Sequence, residues 1–197
     1  MPKVSEAHLQ ARRRQILQAA LTCFAERGFH TTSMRDICRQ AQLSAGAVYR
    51  YFESKEDLIA GMVAVEVEPM VEMLRVLEPE DRVRTIIHGS FDRPDLAREI
   101  RVEISLWAEA LTNPRIAELM VSQIEPITAL LAEAIASLQQ RGRICDPSSA
   151  RVLAERTQGN LLGGMLQLAV VPGFELDAYL TSVERSLLPA SGREEDP

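Results

Sequence analysis

Apolar residues recur at spacings of three and four along nearly the whole chain, and no stretch alternates for long in the two-residue period of a strand. That periodicity restricts the chain to helices packed on helices, an all-α fold. Ile16, Leu17, Ala20, Leu21 and Phe24 form one face of a first helix over residues 8–27, which Gly28 ends. Met34, Ile37, Cys38 and Ala41 repeat the pattern in a second, short helix, against which Val48, Tyr51 and Phe52 of a third would pack. Ser33 with Asp36, and Ser54 with Asp57, have the spacing of capping boxes, with Asp in place of the usual Glu. Ser44 can cap the element between them.

Prolines punctuate the rest. A helix from Ser54 carries Leu58, Met62 and Val65 before Pro69, which is expected to kink or end it. Pro79 opens a helix to about residue 91, and Pro94 another to about residue 112. A long helix follows over residues 114–140, closed by Gly142, with a kink or break near Ser122 caused by Pro126. Two more are expected over residues 147–171, stopped by Pro172 and Gly173, and 176–188. The result is about nine helices, without repeats. The tail SGREEDP has a disordered composition.

The overall charge of −6 conceals a division. Residues 1–52 hold eight Lys or Arg and three acids, net +5, which leaves −11 on the remainder. A basic head on an acidic body admits a polyanion at one end only. The expected division is a basic head over residues 1–53, an acidic body over 54–190, and a tail over 191–197. Cys23, Cys38 and Cys145 are odd in number and scattered, which suits a reducing cytosol better than a disulfide frame or a zinc site. No uninterrupted apolar run reaches the roughly 18 residues of a membrane span, and the N-terminus lacks the apolar core of a secretory signal. The expected location is the cytoplasm, with no membrane partner.

The segment QLSAGAVYRYFESKEDL concentrates the function. Ser44, Ala45 and Gly46 present almost no side chain, and Tyr49, Arg50, Tyr51 and Phe52 follow at once. A helix that is bare in front can bring its backbone close to base edges in a major groove about 12 Å wide. Gly46 costs a helix interior roughly 1 kcal/mol, which close approach of another molecule would justify. The hydroxyls of Tyr49 and Tyr51 suit phosphate oxygens, and Arg50 can reach a phosphate or a guanine edge. Thr32, Ser33 and Arg35 at the start of the second helix, and Lys55 at the start of the fourth, extend the surface. Phe52 reads as core, Tyr51 as core or contact, and Arg12 to Arg14 as a solvated face or phosphate contacts.

With these residues in register, ILQAALTCFAERGFHTTSMRDICRQAQLSAGAVYRYFESKEDLI resembles the DNA-binding head of the tetracycline-repressor (TetR) family, over about residues 12–62. The family often places Gly where this chain has Gln42. The resemblance implies a homodimer that sets two recognition helices in successive major grooves of a double-stranded, palindromic operator. It implies a body that binds a small effector, and it favours a repressor over an activator. WAEALTNPRIAEL is locally similar to the C-terminal domain of some relatives, choline-responsive regulators among them. From the helices that surround the ligand in the family, Met62, Val65, Phe91, Glu103, Trp107, Met120 and Asn160 are the candidate lining. Glu103 is either paired to an arginine or faces a ligand cation, and Trp107 is either core or one wall of a cation site. The last two helices form the family's dimer interface, for which Leu161, Leu162, Met165, Leu168, Tyr179, Val183 and Leu187 are the apolar candidates.

No nucleotide-binding glycine loop, nucleophile elbow, H-E-x-x-H or clustered His, Asp and Cys set occurs, so no catalytic residue, metal ligand or cofactor is assigned. A helical adaptor that binds only proteins is the alternative, but it has no need of a basic head.

Overall fold

The computed structural model describes residues 6–92 and 95–188, and among them nine helices and no strand. These are α1 (Glu6–Arg27), α2 (Met34–Ala41), α3 (Ala45–Tyr49), α4 (Lys55–Arg75), α5 (Pro79–Gly89), α6 (Leu96–Ala110), α7 (Pro114–Gln140), α8 (Ala150–Val170) and α9 (Leu176–Leu187). The expectations for Pro94 and the tail fall outside the described residues.

Helix ends follow local chemistry. Gly28 takes φ +78° and its N–H donates to the Phe24 carbonyl at 2.8 Å, closing α1. At α2 the capping box is complete: Asp36 N–H donates to Ser33 Oγ at 3.2 Å, and Ser33 N–H to the Asp36 carboxylate at 3.1 Å. Ser44 Oγ accepts from Ala47 N–H at 3.3 Å and starts α3. The fourth start is offset by one residue. Ser54 Oγ accepts from Asp57 N–H, but the Asp57 carboxylate accepts from Glu53 N–H rather than from that of Ser54.

Of the alternatives open to the two prolines, a kink or an end, neither Pro69 nor Pro126 ends its helix. Pro69 lies inside α4, which runs on to Arg75, and Pro126 lies inside an unbroken α7. An interior proline costs about 3 kcal/mol. In α7 that cost is opposed by burial on both sides: Ile116 and Met120 before it, Leu130, Leu131 and Ile135 after it. The same helix is long and apolar enough by length and composition to cross a membrane, although Arg115, Glu118 and Glu125 interrupt its apolar run.

The chain forms two compact units. The first contains the chain up to Glu68 and Ala97–Gln123, so α1 to α3, the front of α4, most of α6 and the front of α7 belong to it. Its core includes Ile16, Ala20, Phe24, Ile37, Val48, Phe52, Leu58, Val102, Ile116 and Met120. Gly61 is where α4 closes on this core: a Cβ there would lie 2.7 Å from the Phe52 ring and 3.2 Å from Leu17. The second unit contains Pro69–Leu96 and the chain from Ile124 onward, with α9 packed on α5 and α8. Arg82 secures the end of α4 there. Its guanidinium, largely buried, donates to the carbonyls of Leu74, Arg75 and Leu77, at and just past the end of the helix. The compact units thus differ from the head and body read from charge, because α6 packs with the head.

Candidate DNA-binding surface

α2 and α3 are joined by a tight turn in which Gln42 adopts φ 54°, ψ 40°. Its N–H donates to the Arg39 carbonyl and that of Leu43 to Cys38, the paired bonds of a Schellman ending. Gln42 occupies the left-handed position that glycine usually takes, and is the described non-glycine residue with positive φ. From α1, Gln15 Nε2 donates to the Ala41 carbonyl at 2.8 Å and fastens this turn. Periodicity could not have found that contact, since Gln15 lies off the apolar stripe.

α3 is anchored by Val48, fully buried, with Phe52 buried just after it. Ser44, Ala45, Gly46, Tyr49 and Arg50 are exposed, and Tyr49 keeps 48% of its surface. A Cβ built on Gly46 meets nothing within 4 Å, so packing inside the chain does not account for that glycine. Arg35 is exposed on α2, and Ser33 beside it is occupied by its cap. Tyr51 is half-buried against the core.

Two expected contacts have other duties. Thr32 is 2% exposed and its hydroxyl faces the carbonyls of Gly28 (2.8 Å) and Cys23 (3.1 Å). Its side chain closes α1 and is not available to DNA, which corrects the expectation for it. Lys55 Nζ donates to the Phe29 carbonyl at 2.6 Å and lies 4.3 Å from the centre of the Phe29 ring. The ammonium therefore ties the α1–α2 turn to the start of α4, with a further N–H left to donate. Arg13 stacks over the Phe52 ring at 4.7 Å.

The charge around α2 is ordered. Asp36 accepts from Ser33 and pairs with Arg27 at 3.1 Å and Arg39 at 3.5 Å. Hydrogen bonds from the Ser33 side chain and backbone, more than the arginines, hold its carboxyl below the ordinary range.

The expected effector residues divide between the units. Met62, Val65, Glu103, Trp107 and Met120 lie in the first, Phe91 and Asn160 in the second. Met120 belongs to the core of the first unit, and Met62 and Trp107 pack against that core. Val65 is 51% exposed. Glu103 is half-buried and engaged. Trp107 Nε1 is buried and, among the described residues, has no hydrogen-bond partner. Phe91 is buried in the second unit near Gly164, and the Asn160 carbonyl accepts from the Tyr179 hydroxyl at 2.8 Å. A cavity of about 420 Å³ in the second unit touches none of these. It is lined by Glu80, Arg84, Arg141 and Arg143 among others, with Glu80 paired to Arg84 and Arg143.

Of the expected interface residues, Leu161, Met165, Val183 and Leu187 are buried in the chain's own second unit and have little area left to offer a partner. Leu162, Leu168 and Tyr179 are half-buried. The apolar surface that α8 does expose is Val152, Leu166 and Val170, on the same side as Gly159.

The model of bacterial regulatory proteins of the tetR family matches residues 16–62, and that of the BetI-type transcriptional repressor C-terminal domain matches residues 79–188. The chain is a TetR-family transcriptional regulator. Proteins of this family bind DNA and are not enzymes; they bind operators and small-molecule effectors, typically as dimers. The regulator is 29% identical over 170 residues to UidR of Escherichia coli K12, covering 79% of this chain and 83% of that protein. Among solved structures, Salmonella enterica GusR superposes with a TM-score of 0.75 at 25% identity, over 95% of this chain and 100% of the other. A regulator from Saccharomonospora viridis in complex with choline gives 0.76 at 23% identity, over 92% and 100%.

Proposed function

We propose that this TetR-family regulator is a cytoplasmic repressor that binds a palindromic operator as a homodimer and is released by a small effector. The observation that carries the DNA reading is the exposed edge of α3. Gly46 leaves a gap that no described residue fills within 4 Å, next to Tyr49 and Arg50, which are exposed and have no polar side-chain partner among the described residues. Gln15 and Thr32 nearby spend their polar groups within the chain, whereas this edge offers a hydroxyl and a guanidinium outward. Arg35 adds charge beside it, and Lys55 contributes by fixing the turn between α1 and α2.

A duplex selected by the protein from a random pool tests this. The Tyr49→Ala/Arg50→Ala variant should bind it at least tenfold more weakly, about 1.4 kcal/mol or more, with its helix content unchanged. Equal affinity would remove α3 from the interface.

The dimer is assigned to the exposed stripe of α8, Val152, Leu166 and Val170. Leu166→Glu should give monomers by sedimentation, and one head then covers only a half-site. The effector site is assigned to the Trp107 side of α6, where a buried N–H without an acceptor costs about 1–3 kcal/mol until a ligand oxygen meets it. The choline bound by the Saccharomonospora protein offers both a cation for the ring face and a hydroxyl oxygen for that N–H.

A further inference from the structure

Within the first unit, one face of α6 is docked on the DNA-binding head through four residues at helical spacing. The Arg98 guanidinium donates to the Thr22 hydroxyl of α1. Val102 is buried in the head's core. Ser105 Oγ accepts from the Phe29 N–H at 3.2 Å, and lies close enough that a Cβ on Gly28 would be 3.9 Å away. The Glu109 carboxylate lies 3.7 Å from His30 Nδ1, an ion pair when that ring is protonated. Residues 98, 102, 105 and 109 fall on one stripe of the helix, whereas Glu103 and Trp107 fall on another.

Phe29 joins the Ser105 contact to α4. Its N–H belongs to α6 through Ser105, and its carbonyl belongs to α4 through Lys55. Its ring is 2% exposed, 5.3 Å from the Phe24 ring and beneath the Lys55 ammonium. Three residues later comes Thr32, which closes α1, and then Ser33, which starts α2. A displacement of Phe29 therefore acts on the support of the whole helix-turn-helix.

We propose that Ser105 and Glu109 are positioning residues that couple the Trp107 side of α6 to the DNA-binding head through the Phe29 peptide. The proposal rests on the effector reading of Trp107 and adds a route that does not pass along α4. A rigid helix cannot shift on its Trp107 side and stay still on its Ser105 side. Occupancy at Trp107 thus changes the Phe29 clamp, and reciprocally, DNA that fixes the head changes the setting of Trp107.

Trp107 is the chain's single tryptophan, so its emission reports on α6 without an effector being known. The experiment uses the full-length protein and a duplex selected by it from a random pool. Wild-type Trp107 emission should change when the duplex saturates the protein. A Ser105→Ala/Glu109→Ala variant should bind the duplex within about threefold of wild type, below the usual range of coupling, yet lose more than half of that emission change. Ser105→Thr, which keeps the hydroxyl, should retain it. If the double variant does not fold, Ser105→Ala alone, which removes one oxygen atom, is judged by the same criterion. An unchanged Trp107 response in the variant, or no response in the wild type while the duplex is bound, overturns the proposal. A pool that yields no bound duplex overturns the DNA-binding reading and this coupling with it.

Discussion

Gln42 holds a left-handed backbone that costs a non-glycine residue about 1–2 kcal/mol. Replacing it with Gly removes that cost and adds about 0.5–1 kcal/mol of chain entropy to be lost on folding. Gln42→Gly should therefore raise stability by roughly 0.5 kcal/mol, about 1–2 °C in Tm, whereas a β-branched residue there should lower it. Asp36 gives a pH signature of known sign. Its folded pKa is depressed, chiefly by the Ser33 hydrogen bonds, so its stabilisation is fully present above the ordinary carboxyl value near 4 and is lost as pH falls through the lower folded value. Acid titration of the fold should show a shallower low-pH loss in Asp36→Asn, which cannot protonate, on a lower starting stability. Gln42 was visible in the sequence as a departure from glycine, and Asp36 as a cap. The duty of Thr32 is not legible, because a loop hydroxyl looks the same whether it meets a phosphate or closes the preceding helix.

Two glycines in neighbouring helices make opposite demands. A Cβ on Gly61 would press on the Phe52 ring at 2.7 Å, so Gly61→Ala should suffer overpacking of about 1–3 kcal/mol against a helix-propensity gain of about 1 kcal/mol. Its thermal melt should come earlier. A Cβ on Gly46 meets nothing, so Gly46→Ala should leave stability unchanged or raised while weakening binding to the selected duplex. An equal loss of stability in both variants would contradict the idea that Gly46 serves an external surface. Helices with distinct stripes and caps, such as α2 and α3, were legible because each signal is local. The sequence alone leaves open whether α4 and α7 pass through Pro69 and Pro126, because the cost of proline is local while the burial that opposes it comes from residues far away in sequence. α8 was legible as a helix covered on two sides. Periodicity does not say which side the chain's own core covers, so Leu161 and Met165 were assigned outward and are inward.

Across the whole molecule the two compact units are threaded through each other in sequence: each uses two separate segments of chain. Charge marked a break near residue 53, yet the first unit's core draws on Val102, Leu106, Ile116 and Met120. A fragment ending at Glu68 contains every residue proposed to touch DNA and lacks those four. It should melt less cooperatively than the same segment in the full chain, by circular dichroism. No single cut yields one unit entire without part of the other. The same threading governs what happens during synthesis. Residues up to Glu68 leave the ribosome with an apolar face that nothing yet made can cover, and at about 5–20 residues per second Gln123 follows only some seconds later. Through that interval a nascent chain holds open the surface on which α6 will dock. That gives chaperones a defined window and a defined patch on each newly made molecule.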